Sequence, residues 1–475
     1  EITSAVPGGY DVYSGTSMAA PNMSGAIALL RQHLKTANPT LTGVELNARV
    51  NQVLMSTATI ALNDEGNPYS PRKQGAGLAG IADAINAESF ITVKDKDGNV
   101  RDKTKVELYD DKQKTGIYEF EFTINNISGK IEQYDPTVYV MTETLASDNK
   151  TVAEKAYMLS DSTIEYVVDG APHTGSISVG ADMTTTVKVK ITLSQAARNY
   201  LDKSFKNGMY VEGFVSLKGA DTTKVTIGLP YLAFYGDWTD APLFDYSTYE
   251  LAESQKDTNV PAEDKLVASA ADTKVIGMYF DDKYILQLGA YLYEMDESEV
   301  KIYPEKEKAA VSMFDNRGQR TIYEVYMVYA GLLRGAAYMN VEIKDAATGQ
   351  VIYTERQENI SKSYAAGGSN RAAAIQLEIK PSEWNLLNNG TYYVSLKGEL
   401  DYPGGENPDR NSFDFQFTVD YEAPQMLDYR IRYESYTENK KVKYRIYMDV
   451  DVVDNQYVQD VMPCYVKTER GQRTL

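Results

Sequence analysis

The chain has 475 residues and carries 67 acidic against 48 basic side chains, a formal net charge of −19. That length exceeds one ordinary core, so two to four domains are expected, and 43% hydrophobic with 11% aromatic residues excludes a disordered chain. The acidity excludes nucleic acid as a partner, because phosphate binding needs clustered Lys and Arg.

Cys464 stands alone, so no internal disulfide can form. No apolar run reaches the length of a membrane span. Glu1 is not a start methionine, and Ile2-Thr3-Ser4-Ala5 reads like the interior of a fold, so an N-terminal truncation is expected. Arg473-Thr474-Leu475 ends in mid-pattern with no anchor motif, and a C-terminal truncation is expected there too.

The first 90 residues read as helical. From Pro21, the residues Met23, Ile27, Leu30 and Leu34 recur at spacings of four, three and four, which is one helix face. Thr42-Gly43-Val44-Glu45 reads as a capping box opening a second helix, with Leu46, Val50, Val53 and Leu54 as its apolar face. A short third helix is expected over Ile81 to Ala87.

After residue 90 the period changes to two. Ile117 to Ile124 alternates apolar and polar residues, and so does the stretch from Val187 to Ile191, each the mark of a strand with one buried face. Tyr210 to Leu217 and Leu229 to Tyr235 are further strands, with turn clusters such as Asp95-Lys96-Asp97-Gly98 between them. Regular short strands suggest a β-sandwich. Ser247 to Lys274 is polar and reads as a linker. A second β block follows, clearest at Tyr323 to Tyr329, Met339 to Lys344, Thr391 to Lys397 and Ser412 to Val419. Glu422-Ala423-Pro424 reads as an inter-domain joint, and Tyr429 to Tyr433 with Val442 to Val452 begin a third β unit.

The chemistry-bearing motif is Gly15-Thr16-Ser17-Met18-Ala19-Ala20-Pro21. It is a turn feeding a helix, with Ser17 at the entrance, where unpaired N–H groups can hold an oxyanion. Pro21 is expected in the first turn, where no intrahelical donor is lost. The motif is not the nucleophile elbow of α/β-hydrolases, which needs Gly two places after the serine. An isolated Ser before a helix is usually an N-cap, but the seven-residue context resembles the serine signature of the subtilisin family. Pro7-Gly8-Gly9 resembles the segment that precedes that signature.

Leu54-Met55-Ser56-Thr57-Ala58 and Arg72-Lys73-Gln74-Gly75-Ala76-Gly77 look like the closing elements of that peptidase domain, most like those of the cell-envelope subtilases, the group containing lactocepins and streptococcal C5a peptidases. Gly208 to Leu217 and Leu229 through Trp238 to Asp245 resemble the fibronectin-III-like domain that follows the peptidase in that group. Asn22 stands where many relatives carry His, a position that supports the helix rather than the reaction. The resemblance implies a multidomain chain. Residues 1–90 would be the C-terminal part of an α/β subtilisin-type domain, 91–245 and 246–421 two fibronectin-III-like β-sandwiches, and 422–475 the start of a third β domain.

It also implies that Ser17 is the nucleophile of a serine-type endopeptidase acting on protein or peptide substrates. The setting implied is secreted or at a bacterial cell surface, with cell-wall association through a C-terminal region outside this chain. In the family the catalytic Asp, the His and an oxyanion Asn precede the serine. Here only sixteen residues do, and the chain has two histidines. His33 follows Ser17 on the same helix at about 24 Å along the axis, out of reach of the serine proton, and His173 belongs to a turn of the first β domain. The fragment alone is therefore expected to be inactive. Lacking most of a parallel sheet, its peptidase portion is expected to expose apolar surface and to be poorly stable unless the β domains hold it.

Other signals carry less. Gly75-Ala76-Gly77-Leu78-Ala79-Gly80 fits G-x-G-x-x-G but lacks the preceding buried strand and the βαβ unit of a nucleotide site. No cofactor is evident. Asp95-Lys96-Asp97-Gly98 starts like a calcium loop without its bidentate Glu, and a hairpin turn is favoured. Asp281-Asp282 and Asp449-Val450-Asp451 leave calcium open. The 37 tyrosines are read as strand packing and surface. The rival function, from another class, is a non-catalytic surface or adhesion module that carries a relic subtilase segment.

Overall fold

The computed structural model describes residues 2–475 except 150, 222, 241, 263–264, 267–272, 280–283, 297–298, 313–323, 363, 367–368, 372, 376–388, 401, 403–410, 421, 423, 456–466, 470–471 and 475. Cys464, Asp281-Asp282, Tyr323, Ala423 and parts of the 247–274 stretch lie outside the described residues. Among the described residues no helix is long and apolar enough to cross a membrane. The chain forms two compact units, Glu1–Trp238 and Thr239–Leu475.

The first unit opens with a hairpin, β1 (Ile2–Val6) and β2 (Gly9–Tyr13), followed by the helices α1 (Thr16–Ala37), α2 (Gly43–Ser56), α3 (Pro71–Gln74) and α4 (Ile81–Asn86). Helices α2 and α4 lie where the spacing predicts them, α1 starts earlier than expected, and the one-turn α3 was not expected. Thr42 is the N-cap of α2, but its side chain makes no capping bond. Leu30 and Leu34 of α1, Leu46, Val50, Val53 and Leu54 of α2, Ala84 of α4 and Phe90 form one small core.

The sandwich follows. Its strands are β3 (Ser89–Thr92), β4 (Val106–Asp111), β5 (Ile117–Asn126), β6 (Glu132–Leu145), β7 (Val152–Met158), β8 (Thr163–Val168), β9 (Ala171–His173), β10 (Ile177–Val179), β11 (Thr184–Thr192), β12 (Met209–Gly219) and β13 (Ile227–Tyr235). One sheet runs β3-β5-β11-β8-β9. The other runs β10-β6-β12-β13-β4, with β7 on β6. Only the β13–β4 pairing in these two sheets is parallel. Alternation fixes which face is inside: Tyr118, Phe120, Phe122 and Ile124 of β5 meet Val211, Val215, Leu229 and Tyr231 across the core, and the Phe120 and Tyr231 rings stack at 5.3 Å. A helix that the periodicity does not reveal, α5 (Gln195–Ser204), is capped by Ser194 and buries only Ala197 and Leu201.

The second unit holds a five-stranded sheet ordered 310–312, 412–420, 390–400, 336–345, 351–360, and a four-stranded sheet ordered 284–287, 274–279, 324–330, 373–375. The stretch that reads as a linker contains a helix, Thr248–Lys256, closed by a capping box between Ser247 and Glu250. Polarity concealed it, because only Tyr249 and Ala252 are buried. Gln425–Glu438 and Lys441–Val453 pair as a long ribbon turned by Asn439 and Lys440, both at positive φ, the geometry of a two-residue type I′ turn. On one face Tyr429, Ile431 and Tyr433 sit opposite Val450, Met448 and Ile446, and Tyr433 and Ile446 are each 74% exposed. On the other, Arg432 pairs with Asp449.

Within the first unit the helical segment is tied to the sandwich by charge. Arg72 of α3 reaches Glu212 of β12 at 2.8 Å and also Glu143 of β6, with its guanidinium 4.2 Å over the Tyr210 ring. Burial alone would lower the Arg72 pKa, but the two carboxylates outweigh it and the net shift is upward. Removing one partner of a buried pair strands the others. Arg72→Met is expected to cost about 2–4 kcal/mol of first-unit stability, short of the full penalty because Arg72 keeps part of its surface in water. Urea unfolding followed by Trp238 fluorescence measures it, and Arg72→Lys is expected to lose less.

Tyrosine titration sets an alkaline limit. Burial, then the nearby Asp202 carboxylate, pushes the Tyr235 phenol up to about 12. Burial and then Glu212 raise Tyr231 as well. A phenol with a higher pKa folded than unfolded stabilises the fold fully below about pH 10, and that contribution is lost as pH rises through the folded value. The urea midpoint of the first unit is therefore expected to hold up to about pH 10 and to fall above it, and Tyr235→Phe is expected to flatten the fall.

Candidate active site

The site begins with a turn. Val6 pairs with Gly9 across Pro7 and Gly8, with Gly8 at φ 88°, the Pro-Gly pattern of a type II turn. The resulting hairpin delivers the chain to Gly15, the N-cap of α1, at φ 153° and ψ 163°. A side chain is strained at that backbone geometry, so Gly15 permits the abrupt entry into the helix. Its carbonyl accepts the N–H groups of Met18 and Ala19, both at 3.1 Å. Thr16 and Ser17 are the first two helical residues. Among the described residues no hydrogen bond reaches their N–H groups, which is the expected condition of a helix start.

Ser17 is exposed, and so are Thr16, Ala19 and Ala20. The helix starts earlier than the spacing suggests, so Pro21 is its sixth residue and lies inside it. Proline lacks the N–H that would bond the Ser17 carbonyl, and that carbonyl is left without its intrahelical donor. Ser24 adds a side-chain bond to the Ala20 carbonyl at 2.9 Å.

Among the described residues neither histidine makes a hydrogen bond to Ser17. His33 is an exposed residue on the C-terminal half of α1. His173 ends strand β9, half-buried, with Nε2 3.1 Å from the Ser176 carbonyl. Apolar residues of β2 and of the second half of α1 face water: Tyr10 is 80% exposed, Val12 50% and Leu29 55%. The segment's expected bare apolar surface is thus found on β2 and at Ile27 and Leu29 of α1.

The motifs of lesser weight have structural explanations. Gly77 of the G-x-G-x-x-G stretch packs against backbone, since a Cβ there would lie 2.4 Å from the Thr59 carbonyl. The stretch closes a loop through the Thr59–Leu78 bridge. Asp95 accepts N–H bonds from Asp97 and Asn99 at 2.9 and 2.8 Å, a hairpin turn; the Asn99 backbone bond leads the causes that lower its pKa. Among the described residues no group of three or more His, Cys, Asp or Glu is disposed to hold a metal.

Sequence reasoning missed the residues that seat the helices. Gln52, Ser56 and Thr104 are buried polar groups at 5%, 0% and 0% exposure. The Gln52 amide donates to the Arg101 carbonyl at 2.8 Å, the Ser56 hydroxyl accepts from the Ile91 N–H at 2.9 Å, and the Thr104 hydroxyl donates to the Ile91 carbonyl at 3.0 Å. Glu212 offered one signal: a lone acid between Val211 and Gly213 in the most apolar part of its strand.

Comparison with known proteins agrees with this geometry. The sequence model of the subtilase family matches residues 2–77, and that of an Fn3-like domain matches residues 106–232. The chain is 25% identical to a C5a peptidase of Streptococcus pyogenes serotype M1 over 96% of its own length and 41% of the relative's. It is 26% identical to a PI-type proteinase of Lactococcus lactis subsp. cremoris over 94% of its length and 22% of the relative's. The chain thus spans well under half the length of either relative. Among solved structures, the class 5 fimbriae chaperone CfaA covers 66% of the chain at 10% identity with a TM-score of 0.22, too low to carry an argument. Residues 2–77 thus match the subtilase family and residues 106–232 an Fn3-like domain, in a chain that resembles bacterial C5a peptidases and PI-type proteinases along nearly its whole length.

Proposed function

We propose that this chain is part of a subtilisin-like serine endopeptidase and that Ser17 is its nucleophile, attacking the peptide carbonyl to form an acyl-enzyme. The observation that carries the reading is the exposed Ser17 hydroxyl on the second residue of a glycine-entered helix, inside the segment matched by the subtilase family. The open N–H groups of that helix start supply positive potential where negative charge develops on the carbonyl oxygen. On this reading the general base, its orienting carboxylate and an oxyanion amide come from outside these 475 residues, since His33 stands about 24 Å farther along the helix and His173 bonds the Ser176 carbonyl of its own turn. The bare surface on β2 and α1 is the seat for that remaining part of the domain.

The proposed substrates are proteins or peptides. The domain division is that of the sequence reading: peptidase segment to residue 90, sandwiches over 91–245 and 246–421, and a further β domain from 422. The sandwiches act as spacers and docking surfaces. A secreted or cell-surface setting, with cell-wall association through a C-terminal region, is supported by the likeness to proteinases of Streptococcus and Lactococcus. The absence of a histidine near Ser17 favours a second reading, a surface module with a relic serine.

The purified chain is expected to show no Ser17-dependent hydrolysis of casein or labelled peptides. The same chain extended N-terminally through its reading frame is expected to hydrolyse them, with Ser17→Ala lowering kcat on the order of 10⁴-fold or more. An inactive extended chain, or one indifferent to Ser17→Ala, would establish the relic reading instead.

A further inference from the structure

We propose that the first sandwich is the mount that fixes the position of Ser17, and that Gln52, Ser56 and Thr104 are the positioning residues through which it does so. The catalytic meaning of this rests on Ser17 being the nucleophile; the mechanical coupling does not.

Helix α1 runs over 22 residues, Thr16–Ala37, and is seated along its length from Met23 onward. Leu30 and Leu34 are its buried residues, seated against α2, α4 and Phe90. Met23 packs against the same cluster, and Ser17 lies six residues before it, which is about 9 Å of helix. At that lever arm a tilt of about 6° at the seat moves the serine by about 1 Å, and a misplacement of that size costs about 10²-fold in rate. The seat therefore has to fix an angle, not merely make contact.

Apolar contact is non-directional and supplies adhesion more than orientation. The directional elements sit one layer further back. Helix α2, whose Leu46, Val50 and Val53 share the core with α1, is bonded at its C-terminal end to the sandwich. The Ser56 hydroxyl donates to the Gln52 carbonyl at 2.6 Å and accepts the Ile91 N–H at 2.9 Å. Thr104 holds the Ile91 carbonyl at 3.0 Å, and Gln52 holds the Arg101 carbonyl at 2.8 Å. All three side chains are buried, where an unmade hydrogen bond is costly and a misaligned one weak. Farther along, the Arg72 clamp pins the loop after α2 to strands β6 and β12. Two separated attachments restrain rotation as well as translation.

The test measures the lever arm directly in the full chain. Cys464→Ser removes the native thiol, and nitroxides on Ser17→Cys and on Lys188→Cys of the sandwich report their distance distribution by pulsed dipolar spectroscopy. A single narrow distribution is expected. Thr104→Val, which removes the hydroxyl but keeps the shape, is expected to broaden it about two-fold by freeing local motion, while Thr104→Ser is expected to restore it. Gln52→Leu supplies a second variant should Thr104→Val fail to fold. Unchanged hydrogen-exchange protection in β11 and β12 separates loss of the mount from general loss of stability. A distribution already broad in the parent, or one still narrow in both Thr104→Val and Gln52→Leu, would overturn the proposal. A rigid mount in a protein whose hydrolysis ignores Ser17→Ala would leave the coupling standing and sink the nucleophile reading alone.

Discussion

Strand β3 serves two cores at once. Its side chains alternate, as in any strand, so Phe90 enters the core of the helices while Ile91 enters the core of the sandwich. The Arg49 guanidinium covers the Phe90 ring at 4.1 Å. The backbone of Ile91 is held from both sides by Ser56 and Thr104. A one-residue slip of β3 against β5 would exchange the two faces, sending Phe90 into the sandwich and withdrawing it from the helices. The register of four residues thereby decides whether the helices have anything to stand on.

This arrangement accounts for how the helical segment is held against the sandwich. The helices do not form a self-sufficient core: their cluster is small and one of its members, Phe90, belongs to a strand. They borrow order from a sandwich whose own core is large and continuous. What they cannot borrow is cover for the leading half of α1, which stays wet around Ser17.

Much of this was legible in the sequence because periodicity reports burial. The alternation in Ile117–Ile124 and Val187–Ile191 located two central strands, and the spacing of Leu30 and Leu34 located the held end of α1. The heptapeptide around Ser17 marked the candidate nucleophile and its helix. Other features left no periodic trace. The helices at Gln195–Ser204 and Thr248–Lys256 bury two residues each, too few to stand out. The Arg72 clamp joins residues 71 and 140 positions apart, and nothing local in the sequence announces such a pair. Pro21 was misjudged because the helix takes its start from Gly15, whose φ allows an entry that propensity alone does not predict.

Chain order gives the Arg72 clamp a temporal meaning. A ribosome releases α1 and Ser17 first, yet one partner of Arg72 lies 140 residues further on, and β12 must itself pair with β6 and β13. Long-range strand pairing is slow compared with helix formation, and domains emerging from the ribosome fold as units. The serine-bearing helix therefore exists well before its mount does. The seat of the Ser17 helix is complete only after the second partner strand of Arg72 has been made and paired.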